Sequence, residues 1–378
     1  MPQANFLQLL IGQRKAQHRS FWQYIHLDLQ LLIGLLLLII FGLIILISAA
    51  NGSHLIIYKQ LSRFALAFVV LFVCAQIPPE KYRVWIPWLY GIGVFLLLLV
   101  LLIGHTGKGA QRWLNLGLFR FQPSEFMKIA VPMMVAWYLG EKDLPPSKTS
   151  LLISVILIIV PAVFVIVQPD LGTALMIIIA GASVILFAGI SWRILASLLA
   201  LILAVTPVLW YFMRDYQRDR ILTFFNPDRD PLGPGYHIIQ SKIAIGSGGF
   251  FGKGWFNGTQ SHLDFLPEHS TDFIFSVLGE EFGFIGAFIL LFLYMFIVAR
   301  ALRIALKAHD SFTRLLAGSL ALTFFLSAFV NIGMVSGILP VVGLPLPLIS
   351  YGGTSIVTVL AGFGILMSIR TRRGMVKG

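Results

Sequence analysis

Two ionisable side chains stand close together at the start of an apolar run, in the segment FQPSEFMK. Glu125 and Lys128 are three residues apart, which places them on one face of a helix. An ionisable group in a lipid-facing helix costs several kcal/mol unless it meets a partner or a polar cavity, so each is a functional candidate. The structural alternative is a neutralising ion pair within the helix.

A second acidic segment, PEHSTDFIFSVLGEE, opens another apolar run. Asp272, Ser276 and Glu280 follow at intervals of four residues, which predicts that they lie within about 80° of one another on a helix. The structural alternative for Asp272 is an N-terminal helix cap, although the two preceding hydroxyl residues would serve equally well. Glu280 and Glu281 lie two turns inside the run, where hydrogen bonding between helices is the alternative to function.

Basic residues precede the first of these segments, in GKGAQRWLNLGLFRFQPSE. Arg112 and Arg120 stand just before Glu125, with Gln122 between them and the apolar run. Because the planar guanidinium of Arg matches phosphate oxygens through paired hydrogen bonds, this cluster predicts contact with an anion such as a phosphate.

The elements that carry these residues are indicated by composition. The 378 residues are 58% apolar and 12% charged, with a mean hydropathy of +0.88, whereas soluble domains are about a quarter charged. This composition excludes a soluble globular enzyme and a disordered chain. At about 20 residues per spanning helix, the apolar content allows about ten or eleven spans. A single cysteine, Cys74, excludes disulfides and cysteine-based metal sites.

Ten apolar runs of suitable length predict an all-α polytopic membrane protein that forms one domain, 1–378. They fall at 29–49, 61–77, 84–104, 124–140, 150–167, 171–189, 192–212, 273–299, 315–337 and 353–369. Unbroken runs exclude a barrel, whose strands would alternate. The first run lacks a cleavage site and predicts a retained helix rather than a signal peptide.

The distribution of charge predicts the orientation. Lys and Arg are concentrated in the loops on the N-terminal side of the membrane, so both termini are expected in the cytoplasm. The net charge of +12 is therefore interpreted as an orientation signal rather than a nucleic-acid surface. Acidic residues are concentrated in the outer loop at about 213–271, which is also glycine-rich and aromatic. Any chemistry is expected on the outer face.

The last outer segment, GILPVVGLPLPLISYGGTS, has no charge and many prolines and glycines. This pattern predicts a broken, re-entrant segment, which at membrane depth usually lines a cavity. Two other strings are weak motifs. GSGGFFGKG at 246–254 resembles a phosphate loop but lacks its first glycine and its final hydroxyl residue, and the outer histidines lack the spacing of zinc ligands.

Taken together, the segments resemble the SEDS family (shape, elongation, division and sporulation proteins). The family's C-terminal signature matches throughout Asn331 to Ser355. Three further stretches also match: FFNPDRDPLGPGYHIIQSKIAIGSGGFFGKG, FLPEHSTDFIFSVLGEE and GKGAQRWLNLGLFRFQPSEFMK. Within the family, FQPSE and IPPEKY favour the elongation branch over the division branch.

The resemblance implies a peptidoglycan glycosyltransferase that polymerises lipid II on the outer face of the cytoplasmic membrane during elongation and maintenance of rod shape. It also implies two kinds of partner, a class B penicillin-binding protein, which crosslinks the strands, and the elongation complex. Asp272 matches the family's catalytic residue, and Glu125 and Lys128 match residues that matter for activity. Lys59 matches a basic residue, often Arg, at the start of the second span.

For such a transfer, Asp272 is expected to deprotonate the acceptor hydroxyl with inversion at the anomeric carbon. The leaving diphosphate needs cationic stabilisation, and a divalent cation, Mg²⁺ or Mn²⁺, is an open alternative to side chains for part of it. The substrate-binding candidates are Lys59, Arg112, Arg120, Gln122, Ser350 and Gly352, with Lys128 as a further cation and with Glu280 and Ser276 in secondary roles.

Two other functions remain open at this point. A lipid II flippase or an ion-coupled transporter would use the broken last segment together with intramembrane Glu125, Lys128, Glu280 and Glu281. A non-catalytic scaffold for wall enzymes would not need Asp272.

Overall fold

The structure is a computed structural model, and it describes residues 25–107, 110–115, 117, 120–194, 196–197, 200, 204, 210–211, 215–226, 233–262 and 268–372. The helices within these ranges are α1 Leu29–Ala49, α2 His54–Gln76, α3 Pro79–Ile103, α4 Pro123–Gly140, α5 Lys148–Val167, α6 Leu171–Phe187, α7 Asp215–Phe225, α8 Pro234–Gly248, α9 Thr259–His262, α10 Ile274–Leu306, α11 Ser311–Val335 and α12 Thr354–Thr371. The strands are β1 His105–Gly107, β2 Ala110–Asn115 and β3 Arg120–Phe121.

Nine of the ten predicted spans correspond to described helices, α1 to α6 and α10 to α12. The seventh, at 192–212, lies largely outside the described residues. Seven of the nine are long and apolar enough to cross a membrane. The other two are α6, which has 17 residues, and α4, whose Glu125 and Lys128 lower its hydropathy. The prediction of an all-α polytopic membrane protein is confirmed.

Several helices begin after a short polar residue whose side chain caps the first turn. Asp28, Ser147 and Asp170 each accept a hydrogen bond from a backbone N–H in the first turn of α1, α5 and α6, respectively. Proline begins α3 and α4, where the first amide has no helical partner in any case. The helix α2 begins at His54 rather than near the predicted residue 61, because hydropathy stops marking a helix once its outer turns carry polar side chains. Lys59 is therefore a helical residue.

The bundle is built around α4 and α11. The helix α11 packs against α4, α6, α10 and α12, and α4 packs in addition against α3 and α5. At the side of the bundle α2 lies along α12, where a β-carbon added to Gly364 would come within 2.4 Å of the Leu71 carbonyl oxygen. A glycine at that point lets the two backbones approach, as is common between membrane helices.

A small antiparallel sheet of order β1-β2-β3 lies between α3 and α4. Its register pairs His105 with Trp113 and Leu114 with Phe121. Only a loop was expected here from the sequence. The sheet matters for the site because it places Arg112 on β2 and Arg120 on β3.

Two segments predicted to lie outside the spanning helices differ in structure. Within the predicted outer loop, α8 packs along α10, so this part of the loop is helical rather than irregular. Residues 336–353, between α11 and α12, contain turns and extended backbone without a helix, and Leu346, Leu348 and Ile349 in it are buried. The predicted break in helical structure is confirmed, and the second half of the segment is largely buried in protein. Its re-entry at membrane depth stays a prediction.

Candidate active site

Asp272 lies in the turn immediately before α10 and is half-buried. The N-cap of α10 is Phe273, which has no side-chain capping bond, so the helix-cap alternative for Asp272 is wrong. The predicted face shared by Asp272, Ser276 and Glu280 is formed only in part: Ser276 and Glu280 lie about one turn apart on α10, whereas Asp272 precedes the helix. Its Oδ2 atom lies 3.5 Å from the position that a β-carbon on Gly343 would take, so the carboxylate faces the re-entrant segment.

The re-entrant segment is fastened to the Asp272 turn by polar contacts. Asn331 donates from Nδ2 to the backbone oxygens of Asp272 (2.9 Å) and Leu344 (2.6 Å). The Ser350 hydroxyl donates to the Thr271 carbonyl oxygen at 2.6 Å and accepts from the Leu346 N–H at 2.8 Å. Ser350 is 2% exposed. These bonds favour a positioning role for Ser350 over the direct substrate contact predicted from the sequence.

Gln60, on α2, holds the same segment from the other side. It donates from Nε2 to the Ser350 carbonyl oxygen at 3.2 Å and accepts at Oε1 from the Gly352 N–H at 3.4 Å. Gly352 is thereby a fixed point of the backbone, and its predicted contact with substrate stays a prediction. Lys59 precedes Gln60 and is exposed.

Glu125 and Lys128 form an ion pair at the start of α4, with 2.7 Å between Lys128 Nζ and Glu125 Oε2. Both side chains are largely buried, at 5% and 14% exposure. The same-face prediction is confirmed. The Lys128 side chain also lines a cavity of about 50 Å³, the rest of which is formed mainly by α11 and α12. The pair therefore neutralises itself and still presents its cation to a cavity, so the two sequence alternatives are not exclusive.

Arg112 and Gln122 converge on a carboxylate that the sequence analysis did not select, Asp170. Arg112 Nε lies 3.6 Å from Asp170 Oδ2, and Gln122 Nε2 donates to the same oxygen at 3.1 Å. Asp170 is 4% exposed and also accepts from the Thr173 N–H as the cap of α6. The motif Gln168-Pro-Asp170 at the start of a span was the available signal. Arg120 projects from β3 and is exposed.

The two acidic residues near the start of α10 are held by hydrogen bonds within the fold. Glu280 is fully buried, and its Oε1 atom accepts from the Lys253 ammonium at 2.6 Å and from the N–H and hydroxyl of Thr259 at 2.8 Å each. Glu281 accepts from the Ser48 hydroxyl at 2.5 Å. These are the structural bonds that the sequence left as the alternative. The Ser276 hydroxyl is buried without a hydrogen-bond partner among the described residues, which gives no support to a role at Asp272.

The glycine-rich string at 246–254 docks against a kink in α10. Gly283 has φ 61° and ψ −155° inside α10, which frees backbone groups there. The N–H groups of Phe284 and Lys253 bond the carbonyl oxygens of Gly249 and Glu280, each at 3.0 Å. A β-carbon on Gly252 would lie 2.1 Å from the Glu281 carbonyl oxygen. Close backbone contact explains the glycines, and it agrees with the rejection of a phosphate loop.

The described residues contain no group of three or more His, Cys, Asp and Glu side chains placed to hold a metal ion. The divalent cation considered from the sequence, Mg²⁺ or Mn²⁺, stays a prediction.

The chain is similar to known proteins over nearly its whole length. The family model described as Cell cycle protein, which covers FtsW, RodA and SpoVE, matches residues 22–374. The peptidoglycan glycosyltransferase MrdB of Escherichia coli K12 is 50% identical over 358 residues, which are 94% of this chain and 97% of MrdB. The MrdB of Helicobacter pylori is 35% identical over 353 residues, 92% of this chain and 90% of that protein.

Two solved structures share the fold. One, reported under "Structural coordination of polymerization and crosslinking by a peptidoglycan synthase complex", is 33% identical with a TM-score of 0.82, and the match covers 92% of this chain and 98% of that one. The rod shape determining protein RodA of Thermus thermophilus is 28% identical with a TM-score of 0.70 and the same coverage. The chain belongs to the SEDS family, the FtsW, RodA and SpoVE proteins, and is RodA-like.

Proposed function

We propose that this chain is a peptidoglycan glycosyltransferase that polymerises lipid II on the outer face of the cytoplasmic membrane during cell elongation. The observation that carries the proposal is the position of Asp272, whose turn is bonded to the re-entrant segment through Asn331 and Ser350. Relatives that are aligned over nearly the whole chain bear the name peptidoglycan glycosyltransferase.

The depth of the polar groups supports a reaction near the outer surface. Glu125 precedes the other end of α4, Gly140, by fifteen residues, which is about 22 Å at 1.5 Å per residue. With Gly140 at the cytoplasmic end, as the charge distribution predicts, the ion pair lies in the outer third of a hydrocarbon layer about 30 Å thick. A lipid-linked sugar would reach it while its tail stays in the membrane.

In this mechanism Asp272 accepts the proton from the acceptor sugar hydroxyl as the new glycosidic bond forms with inversion. The bond from the anomeric carbon to the lipid diphosphate breaks at the same time. Lys128, Arg112, Arg120 and Lys59 are proposed to stabilise the charge that develops on the diphosphate. A diphosphate leaves without protonation, so no second carboxylic acid is required, in contrast to glycoside hydrolysis. Glu125 holds Lys128 in position.

The orientation and the partner complete the proposal. Both termini are placed in the cytoplasm on the distribution of Lys and Arg. The partner is a class B penicillin-binding protein that crosslinks the new strands. Support comes from the similar chain whose structure is described as a synthase complex that coordinates polymerisation and crosslinking.

The contacts of the buried acidic residues argue against the transporter alternative. The buried acids that suited ion coupling, Glu280 and Glu281, accept hydrogen bonds from Lys253, Thr259 and Ser48 in fixed local contacts. Glu125 is likewise paired with its own helical neighbour.

The deciding experiment supplies lipid II to the purified chain, alone and with its transpeptidase partner, and measures glycan chains on a gel. Asp272→Asn should lower polymerisation by roughly 100-fold or more, because the amide cannot take the proton. The matched control is Asp143→Asn at an exposed site in the loop after α4, which should keep parental activity. Polymerisation by the Asp272→Asn variant would show that Asp272 is not the base. Transfer of labelled lipid II across vesicles without any polymerisation would favour the transporter, and neither activity would favour the scaffold.

A further inference from the structure

Arg63, on α2, lies against the turn that begins α12. Its guanidinium carbon is 4.3 Å from the centre of the Tyr351 ring, a cation–π contact. Its Nε atom is 3.6 Å from the position that a β-carbon on Gly353 would take. The guanidinium thus lies over the Tyr351 ring at the end of the re-entrant segment.

The charge of Arg63 has no counter-ion in the described part of the chain. Its Nη1 atom is buried and has no hydrogen-bond partner there, and α2 contains no Asp or Glu. A buried guanidinium N–H that stays unpaired is unfavourable, because it has lost water without gaining an acceptor. The geometry therefore favours an acceptor that comes from outside the chain and carries negative charge.

The surroundings add positive potential. Lys59 is one helical turn before Arg63 on the same face of α2, and it is exposed. The N-cap of α12, Gly353, has no side-chain capping bond, so the positive end of an 18-residue helix points toward the same region. Phosphate is the anion that two cations and free backbone N–H groups best match.

The region adjoins the proposed catalytic turn. The Tyr351 N–H donates to the Ser270 carbonyl oxygen at 2.9 Å, two residues before Asp272. Arg63 also precedes the paired cytoplasmic ends of α2 and α12, where the Ser368 hydroxyl meets the Ile77 carbonyl oxygen, by fourteen residues or about 21 Å. This matches the depth of Glu125 and therefore the depth at which a lipid phosphate would lie.

We propose that Arg63, with Lys59, forms a binding site for the phosphate group of a membrane lipid, and that its preferred ligand is the diphosphate of the polyprenyl-linked substrate. The choice of that ligand rests on the proposed function, whereas phosphate binding does not. Lys59 alone was assigned from the sequence; the structure adds Arg63, whose guanidinium lies over the Tyr351 ring with a buried and unpartnered Nη1 atom.

The test measures binding rather than turnover, by native mass spectrometry of the full chain in detergent. Three probes are titrated: undecaprenyl diphosphate, phosphatidylglycerol, and undecaprenol, which has the same tail without phosphate. The variants are Arg63→Gln and Arg63→Lys. The matched control is Arg314→Gln at an exposed position in the first turn of α11. Melting temperatures establish that each variant is folded.

Arg63→Gln should weaken binding of undecaprenyl diphosphate roughly tenfold and leave undecaprenol unchanged. Arg63→Lys should recover only part of the affinity, because a point charge does not reproduce the planar fork. If Arg63→Gln weakens binding of phosphatidylglycerol alone, the phosphate site is supported, but the substrate diphosphate is not its ligand. Equal affinity of Arg63→Gln and the parent for both phosphate lipids would overturn the site.

Should Arg63→Gln melt early, Lys59→Gln carries the test, because an exposed side chain can be replaced without disturbing packing. It should weaken undecaprenyl diphosphate binding and spare undecaprenol, and unchanged affinity would again overturn the site. This test measures binding and not turnover. Polymerisation by the Asp272→Asn variant would therefore contradict the catalytic role of Asp272 without changing the conclusion about phosphate binding at Arg63.

Discussion

The Asn331 amide joins the Asp272 turn to the re-entrant segment, since Nδ2 donates to both the Asp272 and the Leu344 carbonyl oxygens. Asn331→Asp would point carboxylate oxygens at two carbonyl oxygens within a fully buried site. We expect a loss of stability of about 2–4 kcal/mol, because two buried acceptors lose their donor and a charge is buried. Activity should fall with it, and a melting curve alongside the polymerisation assay measures both.

The control for this substitution is Asn226→Asp, at an exposed residue after α7. Its free energy of unfolding should lie within about 0.5 kcal/mol of the parent's. A stable and active Asn331→Asp protein would show that the two segments are held by other contacts.

The Glu125–Lys128 pair predicts unequal effects of single and double substitution. Lys128→Met leaves a buried carboxylate without its partner and should cost about 3–5 kcal/mol. The double variant Glu125→Gln with Lys128→Met removes both charges and should melt closer to the parent. Polymerisation should be lost in both, since each lacks the cation. Equal melting temperatures for the single and double variants would contradict the pairing.

Residue spacing predicted the contacts that are local in sequence and missed those that are not. Glu125 and Lys128 are separated by three residues, so helical geometry alone brings them together. Asp170 meets Gln122 across 48 residues, and Glu280 meets Lys253 across 27. No periodicity encodes such pairs, because they depend on how separate elements pack. The same limit explains why the contact between Arg63 and Tyr351, 288 residues apart, was not predicted.

At the scale of elements, the glycine-rich string and the α10 kink predict a sharp positional difference. Gly252→Ala should destabilise the protein by about 2 kcal/mol or more, because φ is 81° and the new carbon would lie 2.1 Å from the Glu281 carbonyl oxygen. Gly246→Ala, six residues earlier, meets nothing within 4 Å and lies in α8, so it should be neutral or slightly stabilising. Denaturation midpoints compare the two. Equal effects would argue against docking of this string on α10.

Element types were predictable where the membrane dictates them. Long apolar runs can satisfy their backbone only as helices, which is why α1 to α6 and α10 to α12 were expected. The three strands were not, because β1 and β3 have three and two residues and carry no usable alternation. The helices of the outer segment were missed because hydropathy identifies burial in lipid rather than packing on another helix.

At the scale of the molecule, orientation can be tested with introduced cysteines in a Cys74→Ala background. The turn between α1 and α2 is expected outside and the loop after α4 inside. Asn51→Cys should therefore react with a membrane-impermeant maleimide in intact cells, and Asp143→Cys only after permeabilisation. Both positions are exposed, so accessibility to reagent is decided by the side of the membrane. The opposite labelling pattern would reverse the predicted topology.

The ion pairs at the opposite end of the bundle show the limit of prediction at this scale. Asp28 caps α1 and lies 2.6 Å from Arg300, at the end of α10, and 3.6 Å from Arg370 on α12. Composition located the nine spans that correspond to described helices, and the direction of the spans stays a prediction from the charge distribution. Which helices are neighbours depends on such contacts between distant segments, and these became visible only in the folded chain.

The two helices joined at Arg63 start at different heights. Arg63 lies beside Gly353, where α12 begins, yet α2 continues for nine residues above it to His54, a rise of about 14 Å. At the end of the bundle that is predicted to face outward, α2 thus rises above the uncapped start of α12, with Lys59 and Arg63 beside that start. We expect the phosphate of a lipid headgroup, rather than an acyl chain, to meet these polar groups. A sugar carried on a lipid can meet the protein at that depth without its anchor leaving the membrane.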